Sequence, residues 1–266
     1  MTAITSIIVA AIVLSVMMAT AWWLQKRTGQ SGWADVFWSF AIGMGGIITC
    51  FAHIGGAPAL RTGLVAAMVI FWSVRLGHHI LIRTLGAKSE DPRYADLRRE
   101  WGDRFQMRLF LFLHIQALCG LGLVVSVFAA AHRPGDFPLL TDWIGLAILI
   151  VSVIGEGVAD RQLRAFAKGP ANKGKVCDVG LWGWSRHPNY FFEWLGWIAY
   201  AVIAIDPMGG WWQGWLALIG PLLMYWLLVY ASGIPPLEAH MLRSRGQAFR
   251  DYQARTSAFF PLPPRK

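Results

Sequence analysis

Seven long apolar runs constrain this chain more than anything else in it: residues 4–24, 33–54, 62–82, 108–131, 140–160, 190–208 and 211–233. A helix of about 20 apolar residues crosses a hydrocarbon core of about 30 Å. Runs of that length leave no room for a conventional soluble core. Within lipid every backbone N–H and C=O must find its partner inside the protein, which leaves helical bundles and closed barrels as the spanning structures. The lengths predict an all-α integral membrane protein with a seven-helix transmembrane bundle. Composition agrees, with 56% hydrophobic and only 15% charged residues. Several of the 15 Trp residues fall near segment ends (Trp22, Trp23, Trp33, Trp143, Trp211, Trp212), where an interfacial aromatic belt places them.

The distribution of charge orients the bundle. With the N-terminus outside, the inner loops and tail hold Lys26–Arg27, Arg83 to Arg108, Arg161 to Arg186 and Arg243 to Lys266, nearly all of the 24 Lys and Arg residues. Arg61 and Arg133 fall outside, and Arg75 lies within the third segment. The positive-inside rule therefore puts the C-terminus in the cytoplasm. The +9 net charge reports this orientation and an affinity for anionic lipid headgroups. It gives no reason to expect nucleic acid. Localisation is predicted as multi-pass in a bacterial inner (plasma) membrane, and nothing calls for an obligatory protein partner.

No linker or internal repeat divides the chain, so residues 1–266 read as one membrane domain. The three cysteines, Cys50, Cys119 and Cys177, form no CxxC pair and imply neither a disulfide framework nor a metal site. Residues 1–24 lack a basic leader and a small-residue cleavage site, and read as the first span. Asp91-Pro92 has the chemistry of a helix start, predicting a short amphipathic helix on the membrane surface. Pro235-Pro236 ends the last span, and Phe259-Phe260 predicts a tail that docks on the body.

Polar groups at span ends are expensive to desolvate and persist mainly where they pair or bind something. Glu156, Asp160, Arg164 and Lys168 follow one helical face. Arg186, Asn189 and Glu193, spaced three and four, follow another. Asp35 lies on the second segment; Arg75, His78, His79 and Arg83 lie on the third; Glu238 follows the seventh. Each such charge is equally well read as an ion pair between helices. As a set, converging at the inner helix ends, they predict a polar cavity open to the cytoplasm. Guanidinium groups suit phosphate or carboxylate, while Asn189 and Glu193 suit ribose hydroxyls or an amide. An anionic cofactor from the cytoplasm and a lipophilic substrate from the bilayer match that pattern.

Other templates fail. Gly155-x-Gly157-x-x-Asp160 lies inside an apolar run with no preceding strand, so it is no dinucleotide fingerprint. No GxSxG, HExxH or P-loop sequence is present. Adjacent His78 and His79 point to different helix faces and make a poor metal pair.

The run Asp160-Arg161-Gln162-Leu163-Arg164, then Gly180-Leu181-Trp182, then Ser185-Arg186-His187-Pro188-Asn189-Tyr190 and Glu193 resembles the C-terminal half of the steroid 5-alpha-reductase family. Asp91-Pro92-Arg93-Tyr94, Ser232-Gly233-Ile234-Pro235, Glu238, Tyr252 and Arg255 through Pro261 look like its bacterial branch. The resemblance covers about residues 85–265. It implies a membrane reductase that binds NADPH through its C-terminal half, about residues 140–266, with a substrate pocket in about residues 1–131. Carried onto this chain, it implies cofactor contacts from Asp160, Arg164, Trp182, Arg186, His187, Asn189, Tyr190, Glu193, Glu238, Tyr252 and Arg255. The implied reaction reduces a C=C bond conjugated to a carbonyl in a steroid-like enone. Steroid-reducing members carry a Gln-Glu pair on the second span and a Tyr on the third. Here Asp35, His79 and His78 occupy those regions and are the candidate catalytic acids. The Arg-His-Pro core is shared with isoprenylcysteine carboxyl methyltransferases, so an S-adenosylmethionine-dependent membrane methyltransferase is the alternative, and a non-catalytic lipid-binding protein the third reading.

Overall fold

The computed structural model describes residues 1–87 and 89–265. Among these all regular elements are helices and no strand occurs, with one isolated parallel bridge between Ser185 and Ser257. The elements are α1 (Ala3–Thr28), α2 (Gly32–Cys50), α3 (Ala59–Leu85), α4 (Pro92–Trp101), α5 (Phe105–Ala131), α6 (Leu140–Lys168), α7 (Pro188–Ala204), α8 (Ile219–Trp226), α9 (Ile234–Arg245) and α10 (Gln247–Arg255). Six stretches of the described residues are long and apolar enough to cross a membrane: α1, α2, α3, Pro92–Ala131, α6 and Trp212–Arg245. The sixth expected segment, 190–208, forms α7, whose 17 residues stop at Ala204. The last expected segment is not one regular helix. It runs as a 3-10 stretch over Trp212–Leu218, then α8, then a π turn over Leu227–Ala231.

The backbone divides into two compact units, one of Met1–Leu146 with Tyr200–Leu223, the other of Ala147–Ala199 with Met224–Lys266. In the first, α2 packs against α1, α3 and α5. Small residues permit the approach: an added Cβ at Gly43 would meet the Ser73 hydroxyl, and one at Gly45 would meet Leu14 and Val124. Close packing of small residues is how helices associate when lipid removes the hydrophobic drive between them. The opposite face of α1 exposes Ile4, Ile8, Ile12 and Val16 at every fourth position, as a lipid-facing stripe requires. At its last turn, Lys26 and Arg27 lie over the Trp22 and Trp23 rings at 5.3 and 5.4 Å.

Two polar anchors hold this unit. Arg61, fully buried, forks onto Asp142 (Nε–Oδ1 2.9 Å, Nη2–Oδ2 3.0 Å) and donates from Nη1 to the Arg133 carbonyl at 2.8 Å. The pair ties the first turn of α6 to α3, and Asp142 also accepts the Leu139 N–H at 2.8 Å. At the other anchor, Asp91 caps α4 by accepting the Arg93 N–H at 3.0 Å, as the Asp-Pro pair predicts. Arg93 then reaches Asp35 at 2.7 Å, Glu90 accepts from Ser31 at 2.5 Å, and Tyr94 is buried. The surface helix is thereby fastened to the start of α2.

In the second unit, α6 and α7 meet through small residues. Ser152 donates to the Phe192 carbonyl at 2.7 Å, and a Cβ on Gly155 would stand 2.4 Å from the Phe192 ring. The tail docks as expected. Phe259 is buried among Phe191, Trp194 and Tyr225, with ring centroids 5.9, 5.7 and 5.3 Å away.

Candidate functional site

The site lies in the second unit and is built on the segment 180–193. Gly180 has φ +60 and sits where a Cβ would strike the Gln162 amide at 2.5 Å, so a side chain there meets both backbone strain and a steric clash. The turn it permits lets Gln162 accept the Leu181 N–H at 2.9 Å. Trp182, buried, donates its indole N–H to the Ala159 carbonyl of α6 at 3.0 Å. Ser185, also buried, donates to the Phe259 carbonyl at 2.8 Å and accepts the His187 N–H at 3.1 Å. The tail completes the arrangement: the Arg186 N–H donates to the Ser257 carbonyl at 2.8 Å and the Leu262 N–H to the Trp184 carbonyl at 3.0 Å.

Glu238 of α9 is the hub. Its Oε1 accepts from Arg186 Nε at 2.7 Å and from His187 Nε2 at 2.9 Å; its Oε2 accepts from Arg186 Nη2 at 3.2 Å and from Gln253 at 2.7 Å. The remaining Arg186 donors go to the backbone carbonyls of Gln253 and Thr256. A planar fork on a carboxylate fixes both groups in orientation. The Arg186 charge is therefore neutralised inside the protein and is not a free anion clamp.

His187 is 4% exposed and stacks on Tyr190, ring centroids 5.5 Å apart and 12° from parallel. Nε2 carries the hydrogen it gives to Glu238. Nδ1 is buried with no hydrogen-bond partner, a lone pair of a neutral imidazole facing no donor. Burial, reinforced by the Arg186 charge, holds the imidazole below its ordinary pKa, more than Glu238 raises it. Such a buried acceptor is a departure from the satisfied networks that proteins normally build. Asn189, half-buried in the first turn of α7, makes no side-chain hydrogen bond among the described residues. One turn later the buried Glu193 accepts from the Trp197 indole at 3.2 Å.

The structure thus brings Arg186, His187, Glu238 and Tyr252 into one knot. The Tyr252 hydroxyl donates to the Trp182 carbonyl, and burial raises its pKa. Trp182 and Tyr252 are pinned through their polar atoms to backbone carbonyls. On α6, Glu156 is buried, Asp160 half-buried and Arg164 exposed. Arg255 stands apart from the knot, paired with Asp178 at the exposed surface. The three candidate acids are in the first unit. Asp35 is charge-paired with Arg93, with Arg83 4.0 Å away; His78 is exposed and His79 half-buried. No group of His, Cys, Asp and Glu able to hold a metal occurs among the described residues.

Two features escaped the sequence reading. Gln253, a fourth partner of Glu238, sits in an ordinary amphipathic helix and carries no sequence signal. His114 does: an ionisable residue inside the apolar run 108–131, it lines a cavity of about 470 Å³. A second apolar cavity, about 490 Å³, is lined by Trp33, Phe37, Phe40 and Met44 of α2 with Met17 and Ile70.

The family described as protein of unknown function (DUF1295) matches residues 21–256. The chain belongs to that family. DUF1295 is related to the steroid 5-alpha-reductase-like proteins. Among similar proteins, the uncharacterized protein C594.04c of Schizosaccharomyces pombe is 23% identical over 97% of this DUF1295 chain and 80% of its own length. The probable O-methyltransferase ustE of Ustilaginoidea virens is 34% identical over 85 residues, 30% of each chain. No solved structure matches significantly.

Proposed function

We propose that this protein is an NADPH-dependent reductase of a conjugated C=C bond in a lipophilic, steroid-like enone. In this reading it belongs to the bacterial branch of the steroid 5-alpha-reductase-like enzymes. It sits in the inner membrane with seven spans, α7 among them, its N-terminus outside and its C-terminus in the cytoplasm. Substrate reaches the protein from the bilayer.

The observation that carries the reading is the open polarity in an otherwise closed knot. His187 presents a buried, unpartnered acceptor, and Asn189, two residues on, presents an unengaged amide. Together they suit a ligand that both donates and accepts hydrogen bonds, as a carboxamide does. With NADPH held there by these residues, the chemistry it would supply is a hydride for the β-carbon of the enone, a proton reaching the α-carbon to leave NADP⁺ and the saturated ketone. The chain's own work is orientation. Glu238 fixes Arg186 and His187, Tyr190 stacks on the imidazole, and Glu193 is held by Trp197 on the next turn of α7. Asp160 and Arg164 on α6 supply the remaining polar contacts of the cofactor. Asp35 is engaged by Arg93, which favours His79 among the candidate acids.

The alternative is transfer of a methyl group from S-adenosylmethionine, favoured by the partial match to a probable O-methyltransferase. The two readings separate in one experiment. Purified protein is incubated with a 4-en-3-one steroid and either NADPH deuterated at C4 or methyl-labelled S-adenosylmethionine. The reductase reading expects deuterium at the β-carbon of a saturated product. Methyl transfer, or no product with any of a panel of enones, overturns it.

A further inference from the structure

The cavity beside His114 lies wholly in the first unit, between α1 and α5, and owes nothing to the cofactor reading. Its walls are Leu111, Ile115 and Leu118 of α5, with Ala11 and Ser15 of α1 opposite. Small side chains on α1 open the notch, and the three α5 residues are exposed along their outer edges. His114 lies nine residues into α5, about 13 Å along the helix from Phe105, well inside the apolar run. Ionisable groups at such depth are rare and mark binding or transport sites.

The chemistry of the notch is defined by two atoms. His114 Nδ1 lies 2.8 Å from the Phe110 carbonyl. A carbonyl only accepts, so Nδ1 carries the hydrogen, and Nε2 of the neutral ring is left as an acceptor. The Ser15 hydroxyl makes no hydrogen bond among the described residues, whereas Thr20 and Thr28 on the same helix donate to carbonyls four residues back at 2.8 Å. In lipid no water is at hand to satisfy either group. One acceptor and one hydroxyl facing an apolar notch complement a ligand hydroxyl, which donates to Nε2 and accepts from Ser15. A ketone oxygen cannot donate and leaves Nε2 bare. The volume sets the size. A cavity of about 150 Å³ holds one benzene ring, so about 470 Å³ holds on the order of eighteen carbons.

We propose that the α1–α5 notch is a binding site for a lipid alcohol of about eighteen carbons, its hydroxyl held between His114 Nε2 and Ser15 and its hydrocarbon body against Leu111, Ile115 and Leu118. The occupant is an amphiphile of the bilayer, distinct in chemistry from the enone assigned to the reaction.

The full chain in lipid nanodiscs is photolabelled with a diazirine analogue of octadecan-1-ol, and adducts are mapped by peptide sequencing. Labelling is expected on the peptides around Ser15 and His114. Octadecan-1-ol should compete at least tenfold better than 1-methoxyoctadecane, which has the same body and no donor. His114→Leu and Ser15→Ala should each shrink that advantage below threefold while the thermal unfolding midpoint stays within 2 °C of the parent. Should His114→Leu fail to fold, Ser15→Ala and the alcohol-to-ether ratio on the parent protein decide the matter alone. Equal competition by the ether means ordinary annular lipid and overturns the proposal. So does parental labelling of both variants, or a disulfide between two copies carrying Ile115→Cys, which would put a second chain on this face.

Discussion

At the level of single residues, Glu238 decides what the Arg-His-Pro segment can do. Two hydrogen bonds from Arg186, one from His187 and one from Gln253 leave the carboxylate fully engaged. Arg186 reads in the sequence as an anion binder; in the fold it forks onto Glu238 and donates to the Gln253 and Thr256 carbonyls. His187 responds to its burial and not to Glu238, which opposes the shift. Its folded pKa lies below the ordinary value near 6.5, because burial disfavours the charged ring. The unfolded chain therefore takes up a proton before the folded one does, and stability falls as pH drops below about 6.5, by at most about 1.4 kcal/mol per pH unit. The contribution is complete above that pH. Thermal unfolding of the parent and of His187→Gln between pH 7.5 and 5.5 should show the parent losing more stability on acidification. Parallel curves would contradict the buried neutral imidazole.

At the level of elements, the fold turns on small residues that let helices touch. Gly155 of α6 meets the Phe192 ring of α7 with no room for a side chain. Gly155→Leu should overpack this seam and cost about 1–3 kcal/mol, measured as a lowered unfolding midpoint in detergent, with Phe192→Ala in the same chain restoring part of it. An unchanged midpoint in the single variant would show that the helices separate freely. The apolar runs made the six spanning stretches legible, since length and hydropathy alone specify a spanning helix. The seam was not legible, because Gly155 within an apolar run looks like any tolerated glycine. The irregular course of Trp212–Ala231 was also hidden. Its 3-10 start lies close against the end of α7: at Gly214 a Cβ would stand 2.2 Å from the Ala204 carbonyl. The cap at Asp91 was legible because Asp-Pro acts locally, and the docking of Phe259 because two adjacent apolar rings need cover, although its partners Phe191, Trp194 and Tyr225 are distant in sequence.

For the whole molecule, the sequence placed the candidate site residues close together because most of them lie within 180–193, and helical spacing does the rest. It could not pair Arg186 with Glu238, 52 residues away, nor foresee that Asp35 is taken up by Arg93. The central claim is that His187, Asn189 and Glu193 form part of an NADPH site. The most direct measurement is a titration of purified protein in nanodiscs with NADPH, followed by the thermal unfolding midpoint, on the parent, Asn189→Ala and Glu193→Gln. The account predicts a saturable rise for the parent, a rise at least tenfold weaker in NADPH for each variant, and no response to S-adenosylmethionine. No rise with NADPH in the parent, or the same rise in all three proteins, would contradict it.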